Sequence, residues 1–194
     1  MKPNVGMLYP VCAPIATYTP GTGVTYSTGC VVAEARSATL NWTRADGEFY
    51  GDDALLDTDN GIRGYELDFE PTGLSDSVRH TLLGEDVANT SEYYITDATT
   101  PDVGFGYVRV MRTDGTSGVK DSYEAWWFYK LKFGMNSEET RTKERNREWR
   151  TPTLNGVGAG VQLESGGKLK FATRKTFATK ADAISYVKSK AGIS

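Results

Sequence analysis

Tyr123-Glu124-Ala125-Trp126-Trp127-Phe128-Tyr129-Lys130-Leu131-Lys132-Phe133 packs six aromatic side chains into eleven residues. Aromatic residues favour a pleated, half-buried backbone. With a period of two, Ala125, Trp127, Tyr129, Leu131 and Phe133 share one face, while Trp126 and Phe128 lie on the other between Glu124, Lys130 and Lys132. A strand that buries one face against its own core leaves Trp126 and Phe128 bare unless something else covers them. A helix or loop of the same chain is one such cover, and a neighbouring subunit is the other.

The same alternation runs outward from this strand. From Ala35 to Arg44, Ala38, Leu40 and Trp42 face one way and Ser37, Thr39, Asn41 and Thr43 the other. From Ile62 to Pro71, Tyr65, Leu67 and Phe69 alternate with Glu66, Asp68 and Glu70. Gly104 to Arg112 is apolar on both faces, and Asp59-Asn60-Gly61 and Asp114-Gly115 supply turns. Two helices interrupt the pattern. Ser75 is placed to cap a short one through Val78 and Leu82 that ends at Gly84, and Thr179 to cap a second carrying Asp182, Ile184 and Val187 towards Gly192. The residues of Ser137 to Arg150 favour helix by propensity but present no apolar stripe.

The chain has 194 residues, 39% hydrophobic and 24% charged, with a net charge of −3. At this length about 70% of the unfolded surface becomes buried, so a core forms without staples. No apolar run reaches the roughly 20 residues that span a bilayer. Met1 to Pro10 lacks an apolar core, so no secretory signal is expected. The acidic balance argues against a general nucleic-acid binder. Cys12 and Cys30 have neither metal spacing nor a CxxC arrangement and are expected to be reduced.

Searches for chemistry return little. The single histidine, His80, sits among Val78, Leu82 and Leu83 and reads as a packing residue. Asp57-Thr58-Asp59-Asn60-Gly61 has its glycine one position early for a calcium loop and reads as a turn. Gly156-Val157-Gly158-Ala159-Gly160 lacks dinucleotide spacing and reads as a flexible or close-packed loop. No catalytic, cofactor-binding or metal-binding residue is assigned, and no cofactor is expected. Charge is distributed unevenly: Ala45 to Glu70 holds nine acids and one base, Lys168 to Lys190 seven bases and one acid. Solvated faces explain this, as does head-to-tail contact between acidic and basic surfaces of identical copies.

Tyr65 to Asp86 (YELDFEPTGLSDSVRHTLLGED) resembles the major tail proteins of long-tailed, non-contractile bacteriophages. The resemblance extends to Phe49-Tyr50-Gly51-Asp52-Asp53 and to Trp126–Phe133 followed by Thr151-Pro152-Thr153-Leu154-Asn155-Gly156, covering about two thirds of the chain. It implies a mainly β fold, a β-sandwich or barrel-like double sheet with a flanking short helix, of the kind also found in type VI secretion tubes. A C-terminal helix from Thr179 towards Gly192 completes the expected fold. The resemblance implies one tube domain over residues 1–194, with residues 1–28 as an N-terminal arm and 164–194 as a C-terminal extension, and an extended segment at Glu138 to Arg150. The implied role is a structural virion subunit of the tail tube, not an enzyme. Copies would form hexameric rings stacked into a conduit for DNA, which passes without specific binding and without any membrane contact. Tape measure, tail terminator and tail initiator proteins are the further implied partners.

On that reading Trp126, Phe128 and the loop from Arg44 to Gly61, with Phe49 and Tyr50, are candidate intersubunit contacts, and Asp46, Glu48, Asp52 and Asp53 are candidate lumen-facing acids that repel passing DNA. Replacing Trp126 by Asp is then expected to block assembly and leave a folded monomer. The alternative is a monomeric β-sandwich binding module that uses surface aromatics, for example on carbohydrate. A hydrolase built on an unrecognised carboxylate pair is a third and weaker reading.

Overall fold

A computed structural model of the chain describes residues 4–45, 47–51, 54–59, 61–89, 92–97, 99–115, 118–137 and 151–193. The chain is mainly β. It opens with β1 (Asn4–Thr19), β2 (Gly23–Tyr26), β3 (Cys30–Val31), β4 (Ala35–Arg44), β5 (Gly47–Gly51), β6 (Ala54–Asp59) and β7 (Ile62–Pro71). Helix α1 (Asp76–Leu83) leads into β8 (Asp86–Asn89), β9 (Glu92–Tyr94), β10 (Val103–Gly115), β11 (Gly118–Ser137), β12 (Thr153–Ala159), β13 (Ala172–Phe177) and helix α2 (Lys180–Lys190).

The main sheet is antiparallel and runs β2-β1-β10-β11-β12-β7-β4, with β3 added to β1 and β13 to β11. It folds over on itself. Tyr65, Leu67 and Phe69 from β7 meet Val103, Phe105 and Tyr107 from β10 in one buried core, which Val78 and Leu82 of α1 close. The rings of Phe69 and Phe105 stand 5.1 Å apart, edge to face. A second core lies on the other side of β1, β10 and β11, where Val11, Val108, Ala125 and Trp127 pack under Ala183, Val187 and Ala191 of α2. Two cores explain why the β10 sequence is apolar on both faces.

Several sequence expectations change here. Residues 4–26 contribute β1 and β2 to the main sheet, β1 pairing with β10 along one edge and with β2 and β3 along the other. The C-terminal residues likewise build the second core. Gly156-Val157-Gly158-Ala159 is strand β12, not a loop. The glycines are there because β12 runs against aromatic rings: a Cβ on Gly158 would come within 2.0 Å of the Tyr65 ring. Asp57, Thr58 and Asp59 are the end of β6.

Both helices begin and end where the sequence places them. Thr179 caps α2, its hydroxyl accepting from the Asp182 amide at 3.2 Å and donating to the Asp182 carboxylate at 2.7 Å. Ser75 occupies the N-cap position of α1, but its side chain makes no capping bond. Gly84 ends α1 in the left-handed region at φ 71°, which a residue without Cβ adopts without strain. His80 is not a packing residue. It lies on the exposed face of α1, opposite the inward Val78 and Leu82, and its Nδ1 donates to the Glu85 carbonyl at 2.6 Å.

Candidate functional site

The long strand β11 carries the candidate contact residues, and its two halves present opposite faces to the cores. Tyr123, Ala125, Trp127 and Tyr129 belong to the α2 core, whereas Phe128, Leu131 and Phe133 belong to the other. Even and odd positions exchange faces between Phe128 and Leu131. The pairing with β10 shows the cause: Val103 faces Leu131 and Phe105 faces Phe128, so β11 holds one extra residue at Tyr129–Lys130. A bulge of this kind bends the strand and moves every later side chain to the other face. It also divides the outer edge of β11, with β13 paired over Tyr123–Phe128 and β12 from Leu131 onward.

This geometry corrects the expectation for Phe128. The side chain is fully buried in its own chain, 5.2 Å from the Tyr65 ring and 6.0 Å from the Tyr107 ring. It offers nothing to a neighbour. Trp126 is partly buried and stacks on Phe128 with ring centroids 5.8 Å apart. The Arg109 and Arg174 guanidinium groups lie 5.0 Å and 5.9 Å from its ring, within cation–π range. Its indole N–H donates to Glu124 at 2.7 Å, and Glu124 also accepts from Arg174 at 3.3 Å. The indole is therefore an internal strut with one edge at the surface.

A pocket of about 220 Å³ opens where β4 approaches β1 without pairing, lined among others by Arg36, Tyr107 and Arg109. Arg36 pairs with Glu70 at 3.3 Å, and the buried Tyr107 hydroxyl has no hydrogen-bond partner among the described residues. Burial is the larger influence on that phenol and raises its pKa, partly offset by the charge of Arg109.

The remaining candidates lie on a ribbon. The β4–β7 register reaches Arg44 opposite Ile62, the Ala45 amide donates to the Gly61 carbonyl at 2.8 Å, and Gly47 then faces Asp59. The register slips by one residue between Thr43 and Arg44 and again between Phe49 and Tyr50, and it is the same at Arg44–Ile62 and at Gly47–Asp59, so β4–β5 and β6–β7 follow one hairpin path. Its inner half belongs to the main sheet. Its outer half, β5 and β6, pairs with no third strand among the described residues. Glu48 faces Thr58, Phe49 faces Asp57 and Tyr50 faces Leu55 across this arm, while their side chains lie outside what the structure describes. Asp46, Asp52 and Asp53 lie outside the described residues, as does Glu138 to Arg150.

The sequence marks Arg44 to Gly61 as a contact loop but not as strands, although two short β runs of complementary length flank Asp52-Asp53 and continue strands assigned on either side. No family model matches the chain, and no curated protein matches it. No helix among the described residues is long and apolar enough to cross a membrane.

Proposed function

We propose that this protein is a self-assembling structural subunit, of the type that builds the tail tube of a long-tailed bacteriophage, and that it works in the virion as repeated copies around a channel. The observation that carries this reading is the β5–β6 arm, a two-stranded extension with no third strand against it among the described residues. An isolated two-stranded hairpin is marginally stable in water, and three strands or a packing partner are needed to hold it. A second copy supplies that partner in a ring, where edge strands that would aggregate in a monomer are paired. Residues 45–60 contain six acids and no base, alongside Phe49, Tyr50, Leu55 and Leu56. Such a segment suits a contact with the basic Lys168–Lys190 region of another copy, and acids left uncovered in the channel would repel DNA.

Size-exclusion chromatography with light scattering, followed by negative-stain electron microscopy of the purified chain and of particles that contain it, tests the proposal. Rings or hollow tubes are the expected result. A chain that stays monomeric at high concentration, and is absent from any tubular particle, overturns it. Binding of a monomer to an oligosaccharide array would instead favour a carbohydrate-binding module.

A further inference from the structure

The two cysteines lie far apart in sequence and face each other in the fold. Cys12 of β1 is the register partner of Cys30 of β3, and their sulfurs are 3.3 Å apart with both thiols free. Directly opposed residues of an antiparallel pair have Cα atoms about 4.5–5.5 Å apart. That separation lies inside the window of about 4.4–6.8 Å that a disulfide requires. The backbone around the pair is already fixed. The Val32 amide donates to the Pro10 carbonyl at 2.9 Å on one side, and the Ser27 amide to the Pro14 carbonyl at 2.9 Å on the other. Between them the Gly29 amide donates to the Ala191 carbonyl at 2.8 Å, tying this segment to the end of α2. Cys12 is buried, whereas Cys30 is only partly buried and is the nearer of the two to solvent.

We infer that Cys12 and Cys30 form a reversible dithiol–disulfide site that takes a small thiol disulfide, such as oxidised glutathione, as its co-reactant and locks β3 to β1. Cys30 loses its proton, and its thiolate attacks one sulfur of the oxidant, breaking that S–S bond and releasing one small thiolate. Cys12 then loses its proton and attacks the Cys30 sulfur, displacing the second small thiolate. The protein gives up two electrons and two protons, and the oxidant becomes two thiols. The polarity of the pair supports this order. The hydrogen bond shared with Cys12 lowers the pKa of Cys30, while the same bond and burial raise that of Cys12, so Cys30 attacks first and Cys12 resolves.

The test equilibrates the purified, folded chain in buffers of increasing oxidised-to-reduced glutathione ratio, traps free thiols by alkylation, and reads intact mass and a non-reducing peptide map. The expected product is a Cys12–Cys30 link within one chain, formed at a rate independent of protein concentration and reversed by dithiothreitol. Its thermal midpoint should rise by roughly 5–10 °C. Cys12→Ser should stop at a stable mixed disulfide on Cys30. If that variant does not fold, the wild-type map decides alone. Two alkylated cysteines in the most oxidising buffer, links formed only between chains, or a wild-type reaction that ends at the mixed disulfide would each overturn the site. A link that leaves the thermal midpoint unchanged overturns the lock.

Discussion

At the scale of single residues, the places where backbone and ring meet are the least tolerant. Gly158 lies opposite Tyr65 on β7, and the Tyr65 hydroxyl donates to the Lys130 carbonyl at 3.0 Å on the far side of the core. The ring is therefore held at both ends and cannot move aside for a methyl group. Gly158→Ala should destabilise the fold by about 1–3 kcal/mol in urea unfolding. Gly134→Ala, whose added Cβ meets nothing nearer than the Asn155 carbonyl at 4.0 Å, should stay within roughly 0.5 kcal/mol. Trp126 obeys the same logic. Trp126→Phe keeps the stacking but removes the donor to Glu124, and should lower stability by about 1–2 kcal/mol. Trp126→Asp would set a second carboxylate beside Glu124 against the buried Phe128 ring. The expected outcome is a lower unfolding midpoint, beside the loss of assembly that the sequence reading expects. A Trp126→Asp chain with wild-type unfolding would show that the indole is not the strut described above.

At the scale of elements, the ends of α2 were legible because capping is local chemistry: a hydroxyl, an acid three residues on, and an apolar spacing that runs on to Gly192. Thr179→Ala should lower stability by about 1 kcal/mol, seen as a drop in the thermal midpoint of roughly 2–4 °C. The alternation of β4 and β7 was legible for a similar reason, since one face is buried in β7 and half-buried in β4 while the other is more exposed. The face assignment in β11 was not, because nothing in Phe128-Tyr129-Lys130-Leu131 marks an inserted residue. The bulge coincides with the change of outer neighbour from β13 to β12 along one edge. Non-local pairing of this kind leaves no trace in a window of ten residues. The glycines of β12 misled in the opposite direction. They are punctuation in a loop and clearance in a strand, and only the ring across the core distinguishes the two. His80 misled because proximity in sequence to Leu82 and Leu83 says nothing of which helical face it occupies.

At the scale of the whole molecule, the proposed contact between copies is assigned to the arm and not to the body. Both cores are filled, Phe128 is inside, and Trp126 spends its polar edge on Glu124. Among the described residues β5–β6 and β8–β9 are the two-stranded pairs without a third strand, and β5–β6 is joined to the body at a hydrogen bond between Ala45 and Gly61. That junction makes the arm separable from the fold. Replacing residues 46–60 by a short glycine turn should leave the thermal midpoint of the monomer within a few degrees of wild type, because the β4–β7 ladder and both cores are untouched. The same chain should no longer form rings or tubes by electron microscopy. Salt gives an independent reading of the contact. If the six acids of residues 45–60 meet the basic Lys168–Lys190 region of another copy, assembly should weaken steeply as the Debye length shrinks from about 10 Å at 0.1 M to about 3 Å at 1 M. Apolar pairing of Phe49, Tyr50 and Leu55 would instead persist or strengthen under those conditions. Light scattering across that range separates the two, and a tube that forms equally well without the arm removes it from the assembly altogether.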